Sequence, residues 1–179
     1  MILEPLLNPR FWLPLVMNYC LIAVVGYLNH TLSATGVSIF LVGVLPLFLA
    51  LNLTGFSGFF GCVFSGLLLD AISPAFFGMY GLSFGGIFVA IQFFRGRLHR
   101  GNTGQFIFLA QAVNVFCFIL ITLFSLGDAT LIQEIWVQLV VNLFLSTVVL
   151  TLVAPWYLDL QKSTLRLAFG IQIFKEDLR

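Results

Sequence analysis

Charge is what this sequence has least of. Only 8% of its 179 residues are Asp, Glu, Lys or Arg, against about 25% in soluble domains, so an ordinary water-soluble globule is excluded. Lysine is rarer still. Lys162 and Lys175 are the only two, so the chain has no G-x-x-x-x-G-K-[ST] phosphate loop and is no ATPase by itself. It has no G-x-S-x-G nucleophile elbow either. Histidine is confined to His30 and His99, which fall on opposite membrane faces in the topology derived below, so no zinc site or acid-base pair follows from them. Cys20, Cys62 and Cys117 lie far apart within apolar runs, which suits neither a disulfide framework nor a metal centre. A net charge of +1 gives no pull toward nucleic acid. No catalytic residue, metal or cofactor is expected from this inventory.

What the chain does have is apolar length: 60% of its residues are hydrophobic and its mean hydropathy is +1.09. Long apolar runs occupy residues 11–28, 36–51, 55–72, 74–94, 106–124 and 135–157, each near the length of about 20 residues that crosses a hydrocarbon core of about 30 Å as a helix. Lipid offers the backbone no hydrogen-bond partner, and the runs lack the period-2 alternation of a barrel, so they are expected to be helices. The second and third are separated only by Asn52, Leu53 and Thr54 and read as a tight helical hairpin. The expected fold is an all-α integral membrane protein, a single bundle of six transmembrane helices, with residues 158–179 as a tail.

Short cytoplasmic loops collect Lys and Arg, which tests the count of spans independently. With the N-terminus inside and six crossings, Arg10, the loop with Arg95, Arg97 and Arg100, and the tail with Lys162, Arg166, Lys175 and Arg179 share one side. All eight basic residues are then cytoplasmic, as are both termini, whereas five or seven crossings scatter them. Trp136 and Trp156 lie 20 positions apart, or about 30 Å of helix, and bracket the sixth span as an aromatic belt does. Trp12 and Tyr27 fall near the two ends of the first span.

Small and polar residues are the remaining signals. Gly55, Gly58, Gly61, Ser65 and Gly66 precede Gly78, Gly81, Gly85 and Gly86 in the next span, a spacing that lets two helices approach closely, within the chain or against another membrane protein. Asp70 is the one acidic residue inside an expected span and so a candidate contact to a partner or substrate. Its structural alternative is to neutralise the positive end of the fourth helix, with Ser73 as N-cap and Pro74 as first residue. Gln111 and Asn114 in the fifth span, and Gln138, Asn142 and Ser146 in the sixth, form stripes expected to hydrogen-bond across their interface. Asn18 and Gln92 are isolated amides with the same reading. Arg95, Arg97, His99 and Arg100 form a basic loop suited to orientation and to anionic headgroups. In the tail, residues 165–173 alternate apolar and polar or small side chains with the period of a strand, so an extended segment is expected there, on a partner's sheet edge or on the headgroups.

Gly66-Leu67-Leu68-Leu69-Asp70-Ala71-Ile72-Ser73, followed by Gly78-Met79-Tyr80-Gly81-Leu82, resembles the central signature of the bacterial rod shape-determining protein MreD family. The pattern is G-L-x-x-D-x-x-S and then a glycine opening the next helix. The likeness extends more loosely over the chain in its size, its six spans and its basic loop after the fourth. The bare Asn52-Leu53-Thr54 turn departs from it, since a longer basic or proline-containing loop belongs there. The resemblance implies a non-enzymatic scaffold of the cell-elongation machinery in the bacterial inner membrane. It implies an MreC-like membrane partner and, through it, MreB, RodA and a penicillin-binding transpeptidase. Gly66, Asp70 and Gly78 carry over as contact or structural residues.

The competing class is a substrate-binding membrane subunit similar to that of energy-coupling-factor vitamin importers, which has comparable size and six helices. Such subunits dock their coupling partner through small residues of the first helix, where this chain offers only Ala23 and Gly26.

Overall fold

A computed structural model describes residues 9–53, 55–73, 77–95, 103–125 and 132–169. It is helical, with no strand among the described residues: α1 (Pro9–Leu32), α2 (Leu45–Asn52), α3 (Gly55–Asp70), α4 (Met79–Phe94), α5 (Thr103–Ser125) and α6 (Ile132–Phe169). Three helical stretches among the described residues, Phe11–Thr35, Gly104–Phe124 and Trp136–Ala168, are long and apolar enough to cross a membrane. The bundle's outer surface is apolar too. Leu82, Phe93, Phe108, Phe144 and Leu152 are all largely exposed, the reverse of what water selects.

The second run departs most from expectation. Residues 36–51 do not form one helix. Gly36, in the left-handed region at φ 71°, ends the short 3-10 turn that follows α1. The chain then runs non-helically to Leu41, makes a 3-10 turn at Val42–Val44, and only then enters the eight-residue α2. The break has a local cause. Pro46 has no N–H to bond back to the carbonyl four residues earlier and sits in the first turn of α2, and Val37, Ile39, Val42 and Val44 are β-branched, all of which favour a helix start here over a continuous helix, although Pro14 and Pro155 are accommodated inside α1 and α6. From Leu41 to Ala50 every residue is buried, which is why α2 is apolar on all sides rather than amphipathic.

Non-helical backbone inside an apolar bundle needs partners, since each orphaned peptide group costs several kcal/mol. The neighbouring helices supply them with side chains. The Gln138 amide of α6 donates to the Gly36 carbonyl, Asn142 accepts from the Ser38 N–H at 3.1 Å, and the Ser146 hydroxyl accepts from the Phe40 N–H at 2.9 Å. Four helical residues rise about 6 Å, and two extended residues about 6.6 Å. A polar residue at every fourth position of α6 therefore meets every second residue of the segment, in parallel. On the opposite edge Asn29 of α1 accepts from the Ile39 N–H at 2.7 Å and donates to its carbonyl at 2.9 Å. Asn114 of α5 accepts from the Gly43 N–H at 3.0 Å. Gly43 lies so close to α5 that a Cβ there would overlap the Ala110 carbonyl.

These bonds correct the expected α5–α6 stripe. Of the stripe residues, Gln111 bonds across that interface, its amide donating to the Thr147 carbonyl and the Thr151 hydroxyl, each at 2.8 Å. Asn114, Gln138, Asn142 and Ser146 face the extended segment instead. The tail is corrected as well. Leu165 to Phe169 continue α6, because Leu158, Gln161 and Leu165 recur at helical spacing and turn inward on the bundle; the rest of the tail, from residue 170, lies outside the described residues.

Replacing Asn142 with Leu orphans the Ser38 N–H and is expected to destabilise the protein by about 1–3 kcal/mol. Thr164→Val, which removes only a bond within its own helix to the Leu160 carbonyl, should change stability by less than about 0.5 kcal/mol. Thermal denaturation of both variants in detergent compares them directly.

Candidate functional site

The α3–α4 hairpin brings together the residues that the family-like motif singles out. α3 ends at Asp70, followed by a turn in which the Ala71 and Ser73 N–H groups bond back to the Leu67 and Leu69 carbonyls. α4 begins at Met79 rather than residue 74, with Gly78 at φ 95° in the N-cap position, so Ser73 is not the cap; residues 74–76 lie outside the described set. A glycine N-cap has no side chain to offer, and a carboxylate from the preceding helix does the capping. Asp70, 4% exposed, accepts from the Tyr80 N–H with Oδ1 and from the Gly81 N–H with Oδ2, both at 3.0 Å. Those are the second and third amides of α4, where the free donors and the positive end of the helix dipole coincide.

The two helices touch backbone to backbone. A Cβ on Gly66 would lie 2.5 Å from the Tyr80 carbonyl oxygen and 2.7 Å from the Gly81 Cα, so only glycine admits the approach that brings Asp70 onto those amides. Gly81 packs on Leu67, and Gly85 on Phe59 and Val63. One turn further along, the Phe59 and Phe88 rings meet edge to face with centroids 6.0 Å apart. Gly66, Asp70, Gly78, Gly81 and Gly85 thus form one structural unit, with Asp70 joined to backbone.

A second polar centre forms around Asn18, which the sequence marked as an interhelical amide without indicating its partners. Asn18, an isolated amide in α1, is fully buried and uses its whole hydrogen-bonding capacity. Its Nδ2 donates to the Leu45 carbonyl at 3.0 Å and the Ser65 hydroxyl at 2.9 Å. Its Oδ1 accepts from the Tyr157 hydroxyl at 2.6 Å and the Gln161 amide at 3.3 Å. It ties α1, the start of α2, α3 and α6 together. Tyr157 and Gln161, one turn apart on α6, were the available signal.

Gln92, the other isolated amide, donates to the Ala50 and Leu53 carbonyls at 3.0 and 3.1 Å. Arg95 donates to the Leu51 carbonyl at 3.3 Å and to Gln92 Oε1 at 3.1 Å. Together they receive the free carbonyls at the C-terminus of α2. Arg97, His99 and Arg100 lie outside the described residues. No three His, Cys, Asp or Glu side chains come together as a metal site among the described residues, and Cys20, Cys62 and Cys117 are free thiols.

A cavity of about 320 Å³ opens beside the extended segment. Ile22, Val25 and Gly26 of α1, Phe40, Leu69 and Tyr80 make most of its wall, with Asn29 and Ser73 at its polar side. No protein-family model, curated protein or solved structure matches this chain.

Asp70→Asn keeps the shape but replaces one acceptor oxygen by an NH2 facing an amide donor. It is expected to lower stability by about 1–3 kcal/mol, the range for a buried donor left without its acceptor. Gly66→Ala should cost as much through overpacking. Gly86→Ala, where a Cβ meets nothing within 4 Å, should be tolerated. Differential scanning fluorimetry of the three purified variants provides the ranking.

Proposed function

We propose that the chain is a non-enzymatic membrane scaffold of the bacterial cell-elongation machinery, similar to MreD and binding an MreC-like partner. The observation that carries this reading is how the polar side chains are used. Asn18, Asn29, Asp70, Gln92, Asn114, Gln138 and Asn142 all hold backbone groups, while the outer surface is apolar. Such a chain is built to present shape within a bilayer. The family is suggested by the Gly66 to Leu82 signature, whose glycine and aspartate close one tight hairpin.

In this reading the chain crosses the inner membrane six times with both termini cytoplasmic. The second crossing is half extended and half helical. Four residues, 37–40, at about 3.3 Å each, the 3-10 turn at about 2 Å per residue and eight helical residues at about 1.5 Å come to about 31 Å, matching the roughly 30 Å of hydrocarbon. Its ends support this, since Gly36 meets Gln138 near the start of α6 and Leu53 meets Gln92 near the end of α4. Trp12, Tyr27, Trp136 and Trp156 are all exposed on the outer surface, as an interfacial belt requires.

The second reading, a substrate-binding subunit of an importer, is favoured by the 320 Å³ cavity, within the size range of small-molecule sites. The two separate cleanly. A scaffold co-purifies from detergent with a single-span MreC-like protein, and its depletion rounds a rod-shaped host. An importer subunit instead retains a stoichiometric small molecule in native mass spectrometry, without that partner.

Topology has its own test. In a background lacking Cys20, Cys62 and Cys117, Ala34→Cys should react with an impermeant maleimide added to intact cells. Ser163→Cys should react only after the membrane is opened; the reverse pattern overturns the orientation.

A further inference from the structure

The cavity of about 320 Å³ beside the extended segment is walled mostly by hydrocarbon, and no charged residue lines it among the described residues. Its side-chain polar groups are few and engaged. The Asn29 amide holds both the N–H and the carbonyl of Ile39, and the Tyr80 and Ser73 hydroxyls are hydrogen-bonded to each other.

A backbone donor on the same wall is not engaged. Successive residues of an extended segment turn their backbone groups to opposite edges. Ser38 and Phe40 turn theirs to α6, Ile39 turns its own to Asn29 of α1, and Leu41 is the next residue on the α1 edge. Leu41 lines the cavity and is 6% exposed, yet its N–H meets no acceptor among the described residues. An apolar bundle leaves such a donor bare only at a cost, so an occupant that brings an acceptor is favoured.

The chemistry of the wall narrows that occupant. A volume of 320 Å³ equals roughly ten waters at about 30 Å³ each, and a buried water wants about three hydrogen bonds, far more in total than this wall supplies. An acyl chain fills apolar space but has no acceptor along its length. A carboxylate or ammonium group finds no opposite charge here. One small organic molecule suits the volume, which lies at the lower end of the range for ligand sites.

We propose that the cavity binds a neutral, largely hydrocarbon small molecule whose carbonyl oxygen accepts the Leu41 N–H. The proposal rests on the cavity wall and stands whether the chain is a scaffold or an importer subunit; for an importer it names the substrate class.

Benzophenone is a suitable probe, a neutral ketone between two phenyl rings that couples to neighbouring C–H groups under light. The full-length chain in detergent is irradiated with it, digested and sequenced by mass spectrometry. Adducts are expected to saturate at one per chain and to fall on cavity residues such as Val25, Leu41 and Leu69. Diphenylmethane has the same shape with CH2 in place of the carbonyl. It should suppress the adducts only at about tenfold the micellar mole fraction at which benzophenone saturates, as the loss of one hydrogen bond to a buried donor requires. Gly26→Phe should abolish saturable labelling, because Gly26 lines the cavity and a Cβ there meets nothing within 4 Å. If that variant does not fold, the competition on the wild type decides alone. Suppression by diphenylmethane at the same mole fraction as benzophenone overturns the proposal. So do adducts spread evenly over all helices, or unchanged labelling of a folded Gly26→Phe chain. A charged molecule retained stoichiometrically in the cavity overturns it while upholding the importer reading, and absence of labelling overturns it without touching the scaffold reading.

Discussion

A peptide group withdrawn from a helix inside an apolar bundle has no water to turn to, and the architecture follows from how this chain meets that demand. Between α1 and α2 the backbone leaves the helix for several residues. Three neighbouring helices then spend their scarce polar side chains on it: Asn29 from α1, Asn114 from α5, and Gln138, Asn142 and Ser146 from α6. Ordinary amide contacts between membrane helices contribute about 0.6 kcal/mol on average, whereas an orphaned peptide group in hydrocarbon costs several. The second figure explains why these polar residues sit where they do.

The long apolar helices were legible because their signal is composition summed over many residues. The α3–α4 hairpin was legible through its glycines, and Asp70 through being the one carboxylate in an apolar run. The broken second segment was not. Gly36, Gly43 and Pro46 were visible in the sequence, but a run of that hydropathy satisfies the length criterion whether or not it is helical. The polar stripe of α6 was recognised and given the wrong partner, because a period of four matches a facing helix and, almost as well, every second residue of a strand. The end of α6 was misread for a related reason, since Leu165 to Phe169 are too few to distinguish a period of 2 from one of 3.6. Asn18 carried no pattern at all, since its partners lie 27, 47, 139 and 143 residues away.

The two sides of α4 show opposite solutions to packing. Toward α3, Gly66 lets backbones meet and Asp70 closes the approach with two hydrogen bonds to α4 amides. Toward α5, small residues leave space that no part of the described chain fills. The Gln92 and Arg95 contacts with the end of α2 link the two, because both residues belong to the last turn of α4 and its end.

The extended segment also imposes an order of assembly. Its partners on α6 lie 104 and 106 residues further along the chain, and the one on α5 lies 71 residues further. At about 5–20 residues per second of synthesis, the stretch around Ser38 and Phe40 emerges several seconds before Asn142 and Ser146 exist. During that interval Asn29 is its only companion already made. Packing of the extended segment is consequently incomplete until the last helix is made, and any truncation before α6 leaves the Ser38 and Phe40 N–H groups without their acceptors.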